Sequence, residues 1–291
     1  MANLELDNRE LVADWIETTA LARGRSISRG ALEVAGLSDA GISESQIAGA
    51  VMQMKQRAKL LGDSYPIDVD GLVVRPKIDL RNNTYSALLQ LSPGSPVRQL
   101  LHSQPNDDMS VLLERLSVDA MMALLGSDSC ALRFGHPSDI GRPERFHQAI
   151  EWLAEKMGIE AGSGFKDPRR KDGGVDVVAW RPFPDGRSGF PLYLVQCTMQ
   201  RQLFSKARDI DLRLWSGWLR FDVDPMTVLA VPGTISKGEE WDEIAVRSMI
   251  LDRIRLTGLL PDPEVLKESI TAKWMEKNYN KLAELLSGAT Q

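Results

Sequence analysis

The sequence predicts an α/β fold, a mixed sheet flanked by helices, preceded by a mainly helical N-terminal domain. Helical apolar spacing dominates the first 126 residues, whereas helical and strand patterns alternate after residue 142. The two strongest strand patterns are joined by a turn-rich insert, the mark of an antiparallel pair.

Glu10 to Arg23 carries Leu11, Trp15, Thr18, Thr19 and Leu21 at helical spacing, and Glu44 to Leu61 carries Ile47, Val51, Met54, Ala58 and Leu61. Ser43 or Ser45 is placed to cap the second helix. A short strand, Leu72-Val73-Val74, follows the turn signal Asp70-Gly71. A weaker helix around Tyr85 to Leu91 leads to a turn at Ser92-Pro93-Gly94, and Met109 to Leu125 is a strongly amphipathic helix ended by Gly126. Residues 1–126 carry no motif that names a chemistry and read as a recognition or assembly domain. The second domain, 127–291, opens with a junction containing Gly135, Pro137 and Gly141. There follow a helix from about Pro143 to Met157, strands at Val175 to Trp180 and Leu192 to Thr198, a helix from about Gln202 to Arg220, and a strand at Thr227 to Val231.

The bulk composition bounds the function. With 291 residues, 43% of them hydrophobic, a real core is expected. No apolar run approaches the roughly 20 residues a membrane span needs. The N-terminus is acidic where a secretory signal is basic, so a cytoplasmic protein without a membrane association is expected. Cys130 and Cys197 read as reduced, buried thiols, and the three histidines are too scattered for a zinc site or a Ser-His-Asp triad. A metal here would be held by oxygens. The formal charge of −5 argues against indiscriminate coating of nucleic acid, but Ser163 to Lys206 holds eight basic residues against four acidic ones.

The chemistry gathers in Lys171-Asp172-Gly173-Gly174-Val175-Asp176, followed across the insert Pro182 to Gly186 by Val195-Gln196-Cys197-Thr198. Asp176 shares a strand face with Val178 and Trp180, and Gln196 with Leu194 and Thr198. A carboxylate on one strand and an amide oxygen on the next can hold Mg²⁺ with the Cys197 carbonyl, because magnesium takes its other positions from water and phosphate. Trp215 and Trp218 read as core, and Asp172 as a brace for the glycine turn.

On these residues the chain resembles the Mrr-like branch of the PD-(D/E)XK restriction-endonuclease family, tightly over some 60 residues and loosely from about 143 to 260. Asp172-Gly173-Gly174-Val175-Asp176 and Val195-Gln196-Cys197 match the family pattern; residues 1–126 lie outside it. The resemblance implies a restriction-endonuclease-like fold and a Mg²⁺- or Mn²⁺-dependent endonuclease acting on DNA in restriction or phage defence. It implies a homodimer, and a partner ATPase or other defence proteins. The metal ligands would be Asp176, Gln196 and the Cys197 carbonyl.

The chain departs from the pattern at Thr198, where the family places a catalytic lysine. Lys206 or Lys171 replaces that lysine, or none does and the chain is an inactive nuclease-fold module that binds nucleic acid or assembles a complex. The family also often uses a glutamate from the helix before the first active strand; Glu151 is the candidate, with Glu144 and Glu155 nearby, and a solvent-facing role is the alternative. Arg169, Arg170, Lys171 and Arg201 are the candidate nucleic-acid contacts.

Overall fold

The computed structural model describes residues 9–28, 42–71, 73–101, 107–167 and 171–288. The chain forms two compact units, one of residues 1–109, 232–236 and 252–291, the other of 110–231 and 237–251. This division differs from the boundary expected at residue 126. The amphipathic helix that ends at Leu125 belongs from residue 110 onward to the second unit, and the C-terminal segment joins the N-terminal helices by burying Tyr279 and Leu282 in their core. An apolar stripe shows that a helix is buried, not which core buries it. Among the described residues no helix is long and apolar enough to cross a membrane.

The first unit holds α1 (Arg9–Arg23), α2 (Glu44–Leu61), the hairpin β1 (Ile67–Asp70) and β2 (Val73–Pro76), α3 (Thr84–Leu91) and α4 (Pro96–Leu100). Ser43 caps α2 in a reciprocal box with Gln46. The expected strand is the second arm of the hairpin; its first expected residue, Leu72, lies outside the described residues. Ile27 adds an antiparallel bridge to Val74.

Helix α1 is buried along most of its length, its polar residues included. Spacings of four and three put Glu10, Asp14 and Glu17 on one face. Arg57 of α2, fully buried, donates to Asp14 and Glu17 at 2.8 Å each and also bonds Glu10. Arg253, at the start of the helix Arg253–Leu259, grips both oxygens of Asp14 at 2.9 and 2.6 Å. The hydroxyls of Tyr65 and Tyr85 donate to Glu17 at 2.6 and 2.7 Å. Burial opposes ionisation of Asp14, but Arg253 and Arg57 outweigh it and hold the carboxyl below its ordinary range.

The second unit is built on a five-stranded sheet in the order β3 (Cys130–Arg133), β4 (Val177–Trp180), β5 (Leu192–Cys197), β6 (Met226–Ala230), β7 (Met249–Leu251). The first two pairings are antiparallel and the last two parallel, so the domain is mixed α/β with helices between strands. Val178, Trp180, Leu192 and Leu194 pack with α6 (Phe146–Met157) and with Trp215 and Trp218 of α8 (Leu212–Trp218). Helix α5 (Asp107–Leu125) reaches the end of β5, where Ser117 meets the Cys197 thiol at 3.4 Å.

Three expectations need correction. The single helix from Gln202 to Arg220 is two short ones, α7 (Leu203–Lys206) and α8, because Asp211 caps a fresh start at Arg213 and Leu214; Leu214 is consequently exposed. The helix expected from Pro143 begins at Phe146. Cys130 lies exposed on an edge strand and Cys197 is only partly buried, so neither is the buried thiol expected.

The α1 network makes a stability prediction. Arg57→Met leaves Glu10 without its arginine and Glu17 with only the 3.8 Å contact to Arg253, so urea unfolding should show a loss of roughly 3–5 kcal/mol; a loss under about 1 kcal/mol would show the network to be dispensable.

Candidate functional site

The site begins with a turn that only glycine can make. Gly173 has φ +67°, and a Cβ there would lie 3.0 Å from the Trp218 ring, 3.2 Å from Trp215 and 3.3 Å from Phe146. The Trp215 indole N–H donates to the Gly173 carbonyl at 3.1 Å. Asp172 accepts from the Gly174 N–H at 2.9 Å, the bracing role its position suggested. Gly174, with φ +81°, admits the Asp209 carbonyl, which would stand 2.6 Å from a Cβ. The turn therefore delivers Asp176 to β4 in one register. The Asp176 carbonyl accepts from the Phe134 and Gly135 N–H groups at 2.7 and 2.9 Å, which ties the end of β3 to the same point.

Val177 pairs with Val195, and continuing that antiparallel register by one residue sets Asp176 opposite Gln196. Asp176 Oδ2 accepts from Gln196 Nε2 at 2.8 Å and from the Cys197 N–H at 2.7 Å. The same Nε2 donates to the Cys197 carbonyl at 3.1 Å. Gln196 is only 9% exposed, and its Oε1 is buried with no hydrogen-bond partner. A buried, unpaired amide oxygen costs free energy unless something else completes it.

Glu114 of α5 is the carboxylate that sequence reasoning missed. Its carboxylate is bonded by Arg133 at 2.7 Å and packs against Gly135, where a Cβ would come within 2.6 Å. Burial pushes the Glu114 carboxyl up, against the opposing pull of Arg133. Asp176 is pushed up to about 7, first by burial and then by Glu114; the Cys197 N–H opposes the shift, Asp172 adds to it, and Lys206 opposes it. No local sequence signal marks Glu114, because it lies more than 60 residues before Asp176 along the chain.

The other predicted residues divide. Gln196 and the Cys197 backbone meet Asp176 directly. Lys206, in α7, bonds Asp209 at 2.7 Å and lies near enough to favour the ionised form of Asp176. Thr198 is buried, its hydroxyl accepting from the Gln200 N–H at 3.2 Å. Glu151 is exposed on α6, and the carboxylate beside Asp176 is Glu114 instead. Lys171 and Arg201 are exposed; Arg169 and Arg170 lie outside the described residues.

Among the described residues no three His, Cys, Asp or Glu side chains form a metal-binding group. The oxygens present still suit a hard dication, since magnesium needs one or two carboxylates and fills its remaining positions with water and phosphate. Asp176 and the Cys197 carbonyl are the groups that would hold it, and Gln196, whose Nε2 faces both, would join them through Oε1 on turning its amide over, with Glu114 adjacent.

A raised folded-state pKa carries a definite sign. Between the ordinary value of 3.8 and about 7 the unfolded chain releases the Asp176 proton while the folded chain keeps it, so stability falls as pH rises through that window. Asp176→Asn removes this penalty. In EDTA the variant should melt higher than wild type at pH 8 and close to it at pH 4; an equal difference at both pH values would show that Asp176 ionises normally.

Comparison with known proteins finds no similar family model, no similar curated protein and no similar solved structure, so the site has to be read from its own chemistry.

Proposed function

We propose that the chain is a metal-dependent endonuclease that hydrolyses DNA phosphodiester bonds, with its sheet-bearing unit a restriction-endonuclease-like nuclease domain. The observation that carries this reading is the convergence of Asp176, Gln196 and the Cys197 backbone on two antiparallel strands, with a buried amide oxygen left unpaired beside them. The mixed sheet and its flanking helices agree with it.

Asp176 and the Cys197 carbonyl would hold Mg²⁺ or Mn²⁺, with Gln196 Oε1 joining them once its amide turns over. When bound, such an ion supplies Lewis-acid polarisation of the phosphate and activation of water. Glu114, oriented by Arg133, adds a second carboxylate able to take up a proton. Lys206 supplies positive charge for the attacked phosphate.

One observation favours a second reading, a nuclease-fold module that binds nucleic acid without cutting it. Thr198 occupies the position of the family lysine, is buried, and spends its hydroxyl on a local turn. Plasmid, single-stranded DNA and RNA incubated with Mg²⁺ or Mn²⁺ separate the two. Cleavage supports the enzyme; binding without cleavage supports the module.

Asp176→Ala should abolish cleavage with the circular dichroism spectrum unchanged, and cleavage at the wild-type rate would place the active site elsewhere. Lys206→Ala should lower the single-turnover rate by about two to three orders of magnitude while DNA affinity stays the same. A parallel fall in affinity would make Lys206 a phosphate contact, not a transition-state stabiliser.

A further inference from the structure

Phe165 is 82% exposed, the most exposed of the large hydrophobic side chains among the described residues. Ordinary mobility does not explain it, because its backbone is clamped. Gly162 N–H donates to the Trp218 carbonyl at 2.7 Å and Gly164 N–H to the Gly217 carbonyl at 2.8 Å. Ala161 forms an antiparallel bridge with Leu219, and the Trp218 indole N–H donates to the Phe165 carbonyl at 2.9 Å. Gly162 and Gly164 admit this approach because a Cβ on either would lie 2.4 or 2.5 Å from the Gly217 carbonyl oxygen. The fold thus holds a phenyl ring out in water on a backbone hydrogen-bonded just before it and at its own carbonyl.

Position ties this ring to the candidate site. The same Trp218 whose N–H holds Phe165 packs its ring edge against Gly173, three residues before Asp176. One indole therefore spans from the Phe165 backbone to the turn that sets Asp176. The surroundings are polar. Ser163, the side-chain-free Gly164, Lys166 and Asp167 flank the ring along the chain, and the Lys166 ammonium is bound to the Gly162 and Gly164 carbonyls at 2.7 and 3.4 Å. A protein partner needs roughly 800 Å² of complementary surface on each side, which one ring on a polar stretch of chain does not offer. A nucleobase needs one aromatic face with positive charge beside it.

We infer that Phe165 is a stacking platform for an unpaired base of a DNA strand whose backbone passes the Asp176 site. The inference rests on the nucleic-acid reading above and names the strand feature recognised: a base face, independent of its sequence. The ring stacks on the base, the flanking Lys166 adds positive charge, and the clamped backbone keeps the ordering cost low.

The test is fluorescence anisotropy on the full chain in EDTA, so that no cleavage intrudes, with a labelled 15-nucleotide oligothymidylate and an abasic oligonucleotide of equal length and charge. Wild type should bind the oligothymidylate about tenfold or more tighter, the size of one base-aromatic stack. Phe165→Ala should erase that preference and leave the salt dependence unchanged, whereas Phe165→Trp should keep it and show indole quenching on binding. Equal affinity of wild type for both oligonucleotides, or a preference that survives Phe165→Ala, overturns the stacking role alone. Failure of wild type to bind either oligonucleotide, or duplex DNA, overturns the nucleic-acid reading with it.

Discussion

The candidate site depends on one hydrogen bond and the packing around it, the 3.1 Å contact from the Trp215 indole to the Gly173 carbonyl. Trp215 is fully buried, so its N–H must find a partner inside the protein, and the carbonyl of a glycine in a left-handed turn is the one the fold provides. Phe134, Phe146 and Trp218 complete an edge-to-face cluster around it, with ring centroids 4.9 to 5.8 Å apart. The cluster fixes the turn, the turn fixes the register of β4 on β5, and the register sets a carboxylate opposite an amide. A side chain at residue 173 would disturb every later step.

The two units handle buried acid in opposite ways. In the helical unit three carboxylates meet two arginines and two tyrosine hydroxyls, and the charges are nearly balanced by direct bonds. In the sheet unit the bonds to Asp176 come from a neutral amide and a peptide N–H, while Glu114 and Asp172 add negative charge. Arg133 is committed to Glu114 and Asp139. A structural network neutralises itself; the sheet unit instead leaves a carboxylate near neutral titration and an amide oxygen unpaired, the two features on which the proposed metal reading rests.

The break between α7 and α8 belongs to the same design. Gly174 lets the Asp209 carbonyl approach the turn, and this contact anchors the link between the two helices next to the strand ends. Lys206 stands three residues before the anchor, which explains how a lysine from a separate element comes to influence Asp176. A continuous helix from Gln202 to Arg220 would put Leu214 on one face with the buried Ala207 and Trp218, and Leu214 is exposed.

By itself the sequence determined what is local. The glycine turn, the two strand patterns and the insert between them were enough to pair Asp176 with Gln196, because strand register and turn chemistry act over a few residues and leave a period in the chain. The tryptophans of α8 were legible as core from their apolar setting for the same reason. Tertiary structure alone decided what comes from afar. Glu114, the grouping of the C-terminal helix with the first unit and the pairing of Glu10, Asp14 and Glu17 with Arg57 and Arg253 join residues far apart in the chain, and a carboxylate on a helix looks the same in sequence whether it faces water or an arginine. Glu151 was the nearer glutamate to the motif and proved exposed, since nearness along a helix fixes a face but not what that face meets.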